Sequence, residues 1–164
     1  MKTLKIHYYI LYSMLVLSLA SCGFQLKQST SLPASFGPVS IQGISKFNPF
    51  YRTLRNALRQ SSVNIVESTA ASHTIYVSSS RERKVLSVNT AGKVSEYELI
   101  QRLNYRVTRA DGTTLTGPTT LSRSSYYTAS TTEVLGNATE EVDIYKRLEE
   151  QLVNQMLDQI AVAF

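Results

Sequence analysis

Few side chains in this sequence could carry covalent or catalytic chemistry. Its single cysteine is Cys22 and its two histidines are His7 and His73. Cys22 follows Leu19-Ala20-Ser21, with the apolar run Ile10-Leu11-Tyr12-Ser13-Met14-Leu15-Val16-Leu17-Ser18-Leu19 upstream and Lys2 and Lys5 ahead of that run. A basic n-region, an apolar stretch of secretory length and small residues before a cleavage point describe an export signal, too short for a comfortable bilayer span. Once residues 1–21 are removed, His73 is the only imidazole. A serine–histidine pair would have to use it, yet there is no Gly-x-Ser-x-Gly elbow and no acidic residue near it in sequence. No Cys/His cluster has metal-ligand spacing, and no glycine-rich phosphate loop is present. Glu96 and Glu98 alternate with apolar residues, the pattern of a solvated or salt-bridged pair rather than a glycosidase dyad. The chain reads as non-enzymatic and without a cofactor, apart from a group carried by Cys22.

The thiol has another use. Leu19-Ala20-Ser21-Cys22 resembles the lipobox of bacterial lipoproteins, in which the cysteine takes a diacylglycerol and the chain is cut just before it. An unpaired cysteine in an exported chain otherwise has to be explained. The mature chain then starts at Cys22, is held to a membrane through its covalent lipid, and can form no internal disulfide. One acyl chain binds a bilayer only marginally, whereas several hold stably. In the lipoprotein class this resembles, an aspartate after the cysteine tends to retain the protein in the inner membrane. Gly23 stands there instead, which points to the periplasmic side of an outer membrane.

Removing 21 of 164 residues leaves 143, enough for one domain with a real core. Without Lys2 and Lys5 the basic count falls from 17 to 15 against 12 acids, a balance of +3. Between Lys27 and Arg123 there are thirteen basic residues and five acidic ones, and the other seven acids lie between Glu133 and Asp158. A basic body with an acidic final segment suits an anionic partner met by the body. For an exported protein a phosphorylated lipid fits that role, and nucleic acid does not.

The elements that must position these residues follow from periodicity and turn chemistry. Residues 22–38 read as a lipidated N-terminus and tether, with Ser29-Thr30-Ser31, Pro33, Gly37 and Pro38 and no core residue. A short strand Val39-Ser40-Ile41 follows. Asn48-Pro49 is an N-cap with proline at the first helical position, opening a helix over 49–60. Phe50, Leu54, Ala57 and Leu58 form its apolar stripe, and Arg52, Arg55 and Arg59 form a basic ridge along one side. Val63-Asn64-Ile65-Val66 is a candidate for a further short strand. Residues 73–80 and 85–88 read as one long strand or two collinear ones, closed by the turn Asn89-Thr90-Ala91-Gly92-Lys93.

The clearest pattern lies at 96–108. Tyr97, Leu99, Leu103, Tyr105 and Val107 share one face, broken by Gln101; Glu96, Glu98, Arg102, Asn104, Arg106 and Thr108 share the other, broken by Ile100. Period two over this length predicts a strand about 40 Å long with one buried and one polar face. Asp111-Gly112 turns the chain, 115–118 reads as loop, and a strand follows over 121–128, with Arg123 and the pair Tyr126-Tyr127 on opposite sides. A final helix capped at Asn137 or Thr139 carries the core stripe Tyr145, Leu148, Leu152, Met156 and Ile160, widened by Val153 and Leu157. Together these predict a single α+β domain over 39–164, with two helices packed on one face of a mainly antiparallel sheet of about four strands.

The order of short motifs adds a resemblance. Cys22-Gly23-Phe24-Gln25-Leu26-Lys27 with Leu32-Pro33, Leu86-Ser87-Val88, Gly92-Lys93, Glu96-Tyr97-Glu98-Leu99, Arg123-Ser124-Ser125-Tyr126-Tyr127, Val134-Leu135-Gly136-Asn137 and the amphipathic final helix together resemble the LPS-assembly lipoprotein LptE family. The resemblance implies a non-catalytic partner of the outer-membrane β-barrel LptD, acting as plug and assembly factor and helping deliver lipopolysaccharide to the cell surface. It also implies ligand-contacting bases near the hairpin turn and in the loop before the last helix. Lys93 matches the first position, and the second reads Gly136-Asn137-Ala138, without a base. Arg102 and Arg106 on the polar strand face join Lys93 as candidate contacts for lipid A phosphates, with Glu96 and Glu98 placed to neutralise them. The alternative is a generic periplasmic lipoprotein that binds peptidoglycan or a periplasmic protein.

Overall fold

A computed structural model of the protein describes residues 32–128 and 134–164; the signal and lipobox lie outside the described residues. The elements are β1 (Val39–Gln42), α1 (Pro49–Gln60), β2 (His73–Val88), β3 (Val94–Arg109), β4 (Thr114–Thr128) and α2 (Val134–Val162). Single 3-10 turns occupy Ala34–Phe36 and Ser68–Ala70. The strands form one sheet in the order β1-β2-β3-β4, with β1 parallel to β2 and the later pairs antiparallel. This is the α+β architecture expected, with both helices on one side of an open, mostly antiparallel sheet.

The two longest strands meet because their turn is chemically specified. Asn89 Oδ1 accepts hydrogen bonds from the Ala91 and Lys93 amides, each at 3.0 Å, and Gly92 takes φ +75°. The side chain thus closes an Asx-type turn, and glycine supplies the left-handed residue at little steric cost. Residues 73–88 form one continuous strand, paired with β3 from His73↔Arg109 to Val88↔Val94. At α1, Asn48 Oδ1 accepts from the Phe50 amide at 2.8 Å, so the expected cap and Pro49 start the helix together.

Packing follows the two periodicities. α2 lies across β3 and β4, and α1 packs beside α2. Leu103, Tyr105 and Val107 from β3, Phe50, Leu54 and Leu58 from α1, and Leu152, Met156 and Ile160 from α2 enter one cluster. Leu99, Tyr127, Ile144, Tyr145 and Leu148 form a second, smaller cluster. The break falls where Arg81, Gln101 and Arg123 stand in register across β2, β3 and β4. Gln101 is fully buried there. Arg81 bonds Glu149 and Arg123 bonds Gln155 on α2, so a polar row crosses the sheet beneath the helix.

Several expectations are corrected. The tether expected to run to residue 38 without core residues ends earlier. Leu32 and Phe36 are buried in the main cluster, and the Phe36 carbonyl accepts from His73 Nδ1 at 2.7 Å. The domain therefore includes residue 32. β4 begins at Thr114 rather than 121, because an edge strand with a bulge tolerates Pro118. α2 begins at Val134, ahead of both expected capping residues. The 63–66 segment makes a single parallel bridge, Val39↔Ile65, instead of a strand. Arg123 shares the helix-covered side with Tyr127, and only Tyr126 points the other way.

Candidate interaction surface

The side chains outside the core are set by the same pleat. Because β2, β3 and β4 pair in register, their even-numbered residues form crosswise rows on the face away from the helices. Ser78, Asn104 and Thr120 make one row, and Thr120 Oγ1 donates to Asn104 Oδ1 at 2.6 Å. Ser80, Arg102 and Ser122 make the next, followed by Glu82, Ile100 and Ser124, then Lys84, Glu98 and Tyr126. This face is a field of hydroxyls, amides and charges in which Ile100 is half-buried. Within the sheet, large exposed apolar side chains gather at the far end, where Val85, Leu86, Val88 and Tyr126 stand out; Phe47, Val142, Val162 and Phe164 are exposed elsewhere.

The charged groups on this face are largely engaged. Arg102 donates to Glu82, one row away on the neighbouring strand. Arg106 lies with its guanidinium 4.3 Å over the Tyr76 ring, directly across the ladder. Beside it is a shallow hollow of about 380 Å³ bounded by Gly43, Tyr76, Asn104, Arg106 and Pro118. Arg102 and Arg106 share a face about 13 Å apart along β3 at 3.3 Å per residue. Lys93 sits in the β2–β3 turn, exposed, about 30 Å from Arg102 on the same measure. The structure thus brings the two arginines together and leaves Lys93 apart at the tip. Glu96 and Glu98 are not the arginines' partners; the β2 register supplies Glu82, a pairing that spacing within β3 could not reveal.

On the covered side, Arg83 reaches the N-terminal part of α2 and Arg81 its middle. Arg81 pairs with Glu149 at 2.7 Å and Arg83 with Glu141 at 3.3 Å. Their guanidinium carbons lie 4.7 Å over Tyr145 and 4.9 Å over Tyr97. Tyr145 donates through its hydroxyl to the Glu82 carbonyl at 2.9 Å, and burial raises its pKa above the ordinary 10.0. The sequence carried one visible sign of this polar layer, the Gln101 interruption in an apolar face.

His73, the one imidazole among the described residues, is buried and stacked on Phe36 with ring centroids 4.7 Å apart. Its Nδ1–H donates to the Phe36 carbonyl, so the ring fastens the segment that leads into β1. Its other ring nitrogen, Nε2, has no hydrogen-bond partner among the described residues. Among the described residues there is no group of three or more His, Cys, Asp or Glu able to hold a metal, and no helix long and apolar enough to cross a membrane.

Comparisons with known proteins agree with this arrangement. The LptE family model, described as lipopolysaccharide-assembly, matches residues 36–160. An LPS-assembly lipoprotein LptE from Photorhabdus laumondii subsp. laumondii is 28% identical over 153 residues, covering 92% of this chain and 83% of the relative. Another LptE, from Pectobacterium atrosepticum, is 32% identical over 95 residues, 56% of this chain and 52% of the relative. The fold is shared with rare lipoprotein B from Shewanella oneidensis, at a TM-score of 0.65 and 24% identity over 77% of this chain and 95% of that one. It is shared equally with a lipoprotein B from Nitrosomonas europaea, at a TM-score of 0.68 and 24% identity over 85% and 90%. The match spans the sheet, both helices and the segment holding His73, and on it the chain belongs to the LptE family of lipopolysaccharide-assembly lipoproteins.

Proposed function

We propose that the protein is an outer-membrane lipoprotein, anchored on the periplasmic side through lipid on Cys22, that fills an LptD-like β-barrel and helps it deliver lipopolysaccharide to the cell surface. The observation that carries this reading is the open sheet face. Its rows of serine, threonine, asparagine and engaged charges match the polar lumen of a large barrel, where an apolar face would not. Apart from the exposed apolar group at the far end of the sheet, Val85, Leu86, Val88 and Tyr126, the face is polar, and in this reading the membrane is met through the anchor and the barrel. The role is structural and binding, not catalytic.

Lipopolysaccharide is the second partner in this reading. Lys93, Arg102 and Arg106 are the candidate contacts for lipid A phosphates, arginine being able to hold phosphate with two parallel hydrogen bonds. Their separation makes them stations along β3, with Lys93 at the tip and the arginines near the middle. Arg102 would have to leave Glu82, and Arg106 to leave Tyr76, before either gripped phosphate. Lys93, exposed in the turn, has no such competitor among the described residues.

Affinity purification of the tagged protein from detergent-solubilised outer membrane tests the barrel partner. A stable, stoichiometric large β-barrel in the eluate is expected. Its absence, with the protein intact, would contradict the proposal.

A further inference from the structure

α1 carries three arginines that neither the fold nor the proposed barrel and lipopolysaccharide contacts employ. At 3.6 residues per turn, Arg52, Arg55 and Arg59 fall within an arc of about 60°, centred roughly 130° from the buried stripe of Phe50, Leu54 and Leu58. Arg52 and Arg59 are exposed and Arg55 half-buried. α1 contains no acidic residue and no lysine. None of the ion pairs among the described residues involves these three side chains, although Glu67, Glu82, Glu141 and Glu149 each take another cation. The helix therefore presents a cationic ridge about 10 Å long, at 1.5 Å per residue, that forms no ion pair among the described residues, although Arg52 borders a groove that Glu149 and Glu150 also line.

The tether limits how far this ridge can be from the anchored residue. The chain enters the core at Leu32, in the same cluster as Phe50, Leu54 and Leu58 of α1. Ten residue steps separate Leu32 from Cys22, a reach of at most about 36 Å when fully extended. A domain held by lipid at Cys22 thus has α1 within reach of the leaflet that holds the lipid. Arginine suits phosphate there, because its planar fork donates two hydrogen bonds to one phosphate. Basic segments beside a lipid anchor draw anionic headgroups within a Debye length of the surface.

We propose that Arg52, Arg55 and Arg59 form a docking surface for anionic phospholipid headgroups of the anchoring leaflet, fixing how the domain stands on the membrane. The lipid on Cys22 retains the protein, and the ridge orients it. This rests on the reading that Cys22 is lipidated and is independent of the barrel. The open sheet face is left free for the protein partner.

The test uses the mature lipoprotein in nanodiscs, with a fluorophore on Asn56→Cys beside the ridge or on Ser122→Cys of the open face, and a quencher on the lipid headgroups. Discs are neutral phosphatidylcholine or contain roughly a third phosphatidylglycerol, an anionic surface of the kind that recruits basic segments. Quenching at position 56 should be at least about twofold stronger in anionic discs, and should fall to the neutral level in roughly 0.5 M salt, where screening is short-ranged. Arg52→Gln/Arg55→Gln/Arg59→Gln should abolish the difference, and the double variant Arg52→Gln/Arg59→Gln, which leaves half-buried Arg55 in place, should reduce it; melting curves establish that both are folded. Equal quenching in the two lipids, equal quenching at positions 56 and 122, or a folded triple variant that keeps the anionic response would overturn the proposal. So would a mass showing unmodified Cys22. A ridge variant that keeps the anionic response but loses the barrel would overturn it too, assigning the ridge to the protein partner. Failure of the wild type to co-purify a barrel would instead contradict the barrel reading alone.

Discussion

Arg81 on β2 and Glu149 on α2 form an ion pair at 2.7 Å in which the carboxylate side chain is 3% exposed and the guanidinium 38%. The same guanidinium lies over Tyr145. Glu149 is the charged residue of α2 that enters the core boundary, and Arg81 is what makes its burial tolerable. Beside the pair, Gln101 is buried with neither amide atom hydrogen-bonded among the described residues. This row fixes where α2 sits along the sheet, since sliding the helix by one turn would leave Glu149 in an apolar cluster.

Breaking that pair from one side should be costly. Arg81→Ala leaves a buried carboxylate without its cation and is expected to destabilise the domain by about 3 kcal/mol, the low end for a buried pair because Arg81 is partly solvated. Replacing both residues by leucine should recover most of the loss. Urea denaturation of the two variants measures this, and equal destabilisation by both would show that the pair contributes nothing specific.

The two faces of β3 should respond oppositely to substitution. Leu103 is fully buried, so Leu103→Asp places an unpaired charge in the main core and should unfold the domain. Arg102→Ala removes a bridge between exposed partners and should cost less than about 1 kcal/mol. Circular dichroism melting distinguishes them, and comparable losses would mean the faces are misassigned.

Gly43 ends β1 with φ +85°, and a Cβ there would lie 2.7 Å from the Val77 carbonyl oxygen. Gly43→Ala should therefore destabilise by about 1–3 kcal/mol, the range for local backbone strain. Gly92→Ala, also at positive φ but with nothing within 4 Å of the added carbon, isolates the backbone part of that cost. Thermal melts of the two should rank Gly43→Ala as the more damaging.

Burial raises the pKa of Tyr105, Tyr127 and Tyr145 above the ordinary 10.0. A neutral acid favoured by the fold contributes stability that is fully present below its unfolded pKa and is lost as pH rises through the folded one. Stability should accordingly show no tyrosine-linked loss below about pH 9 and decline above 10. Tyr145→Phe should blunt that decline and cost about 1 kcal/mol at neutral pH, because it removes the bond to the Glu82 carbonyl. Tyr127→Phe should be nearly neutral there, since the Tyr127 hydroxyl has no partner among the described residues. Chemical denaturation at a series of pH values checks both signs.

Much of this fold was legible because its signals are local. The alternation through Tyr97, Leu99, Leu103 and Tyr105 needs no knowledge of partners, and neither do the Asn48 cap or the α2 stripe. Contacts decided by register were not legible. Glu82 reaches Arg102 because Ser80, not Glu82, stands opposite Arg102, and no spacing within β3 contains that fact. Arg81, in a run of charges that looked like a polar interruption, turned out to be the anchor of α2. Leu32 and Phe36 were hidden by the prolines and serines around them; Phe36 is buried where it stacks on His73, and Leu32 joins the same main cluster. Thr114 to Pro118 looked like loop by composition and belongs to an edge strand, where proline loses no ladder bond on the open side. Of the candidate site, the polar face was visible and the engagement of its arginines was not.

The central claim is that the open sheet face lies against the lumen of a protein barrel. It is tested most directly by site-specific photocrosslinking in cells, with the crosslinking residue at Ser80, Ser122 or Ser124 on that face and at Asn154 on the exposed side of α2 as reference. The account predicts a single large adduct with an outer-membrane β-barrel from the three sheet positions. Adducts absent from all three while the protein remains folded and envelope-located, or formed only with other periplasmic proteins, would contradict it.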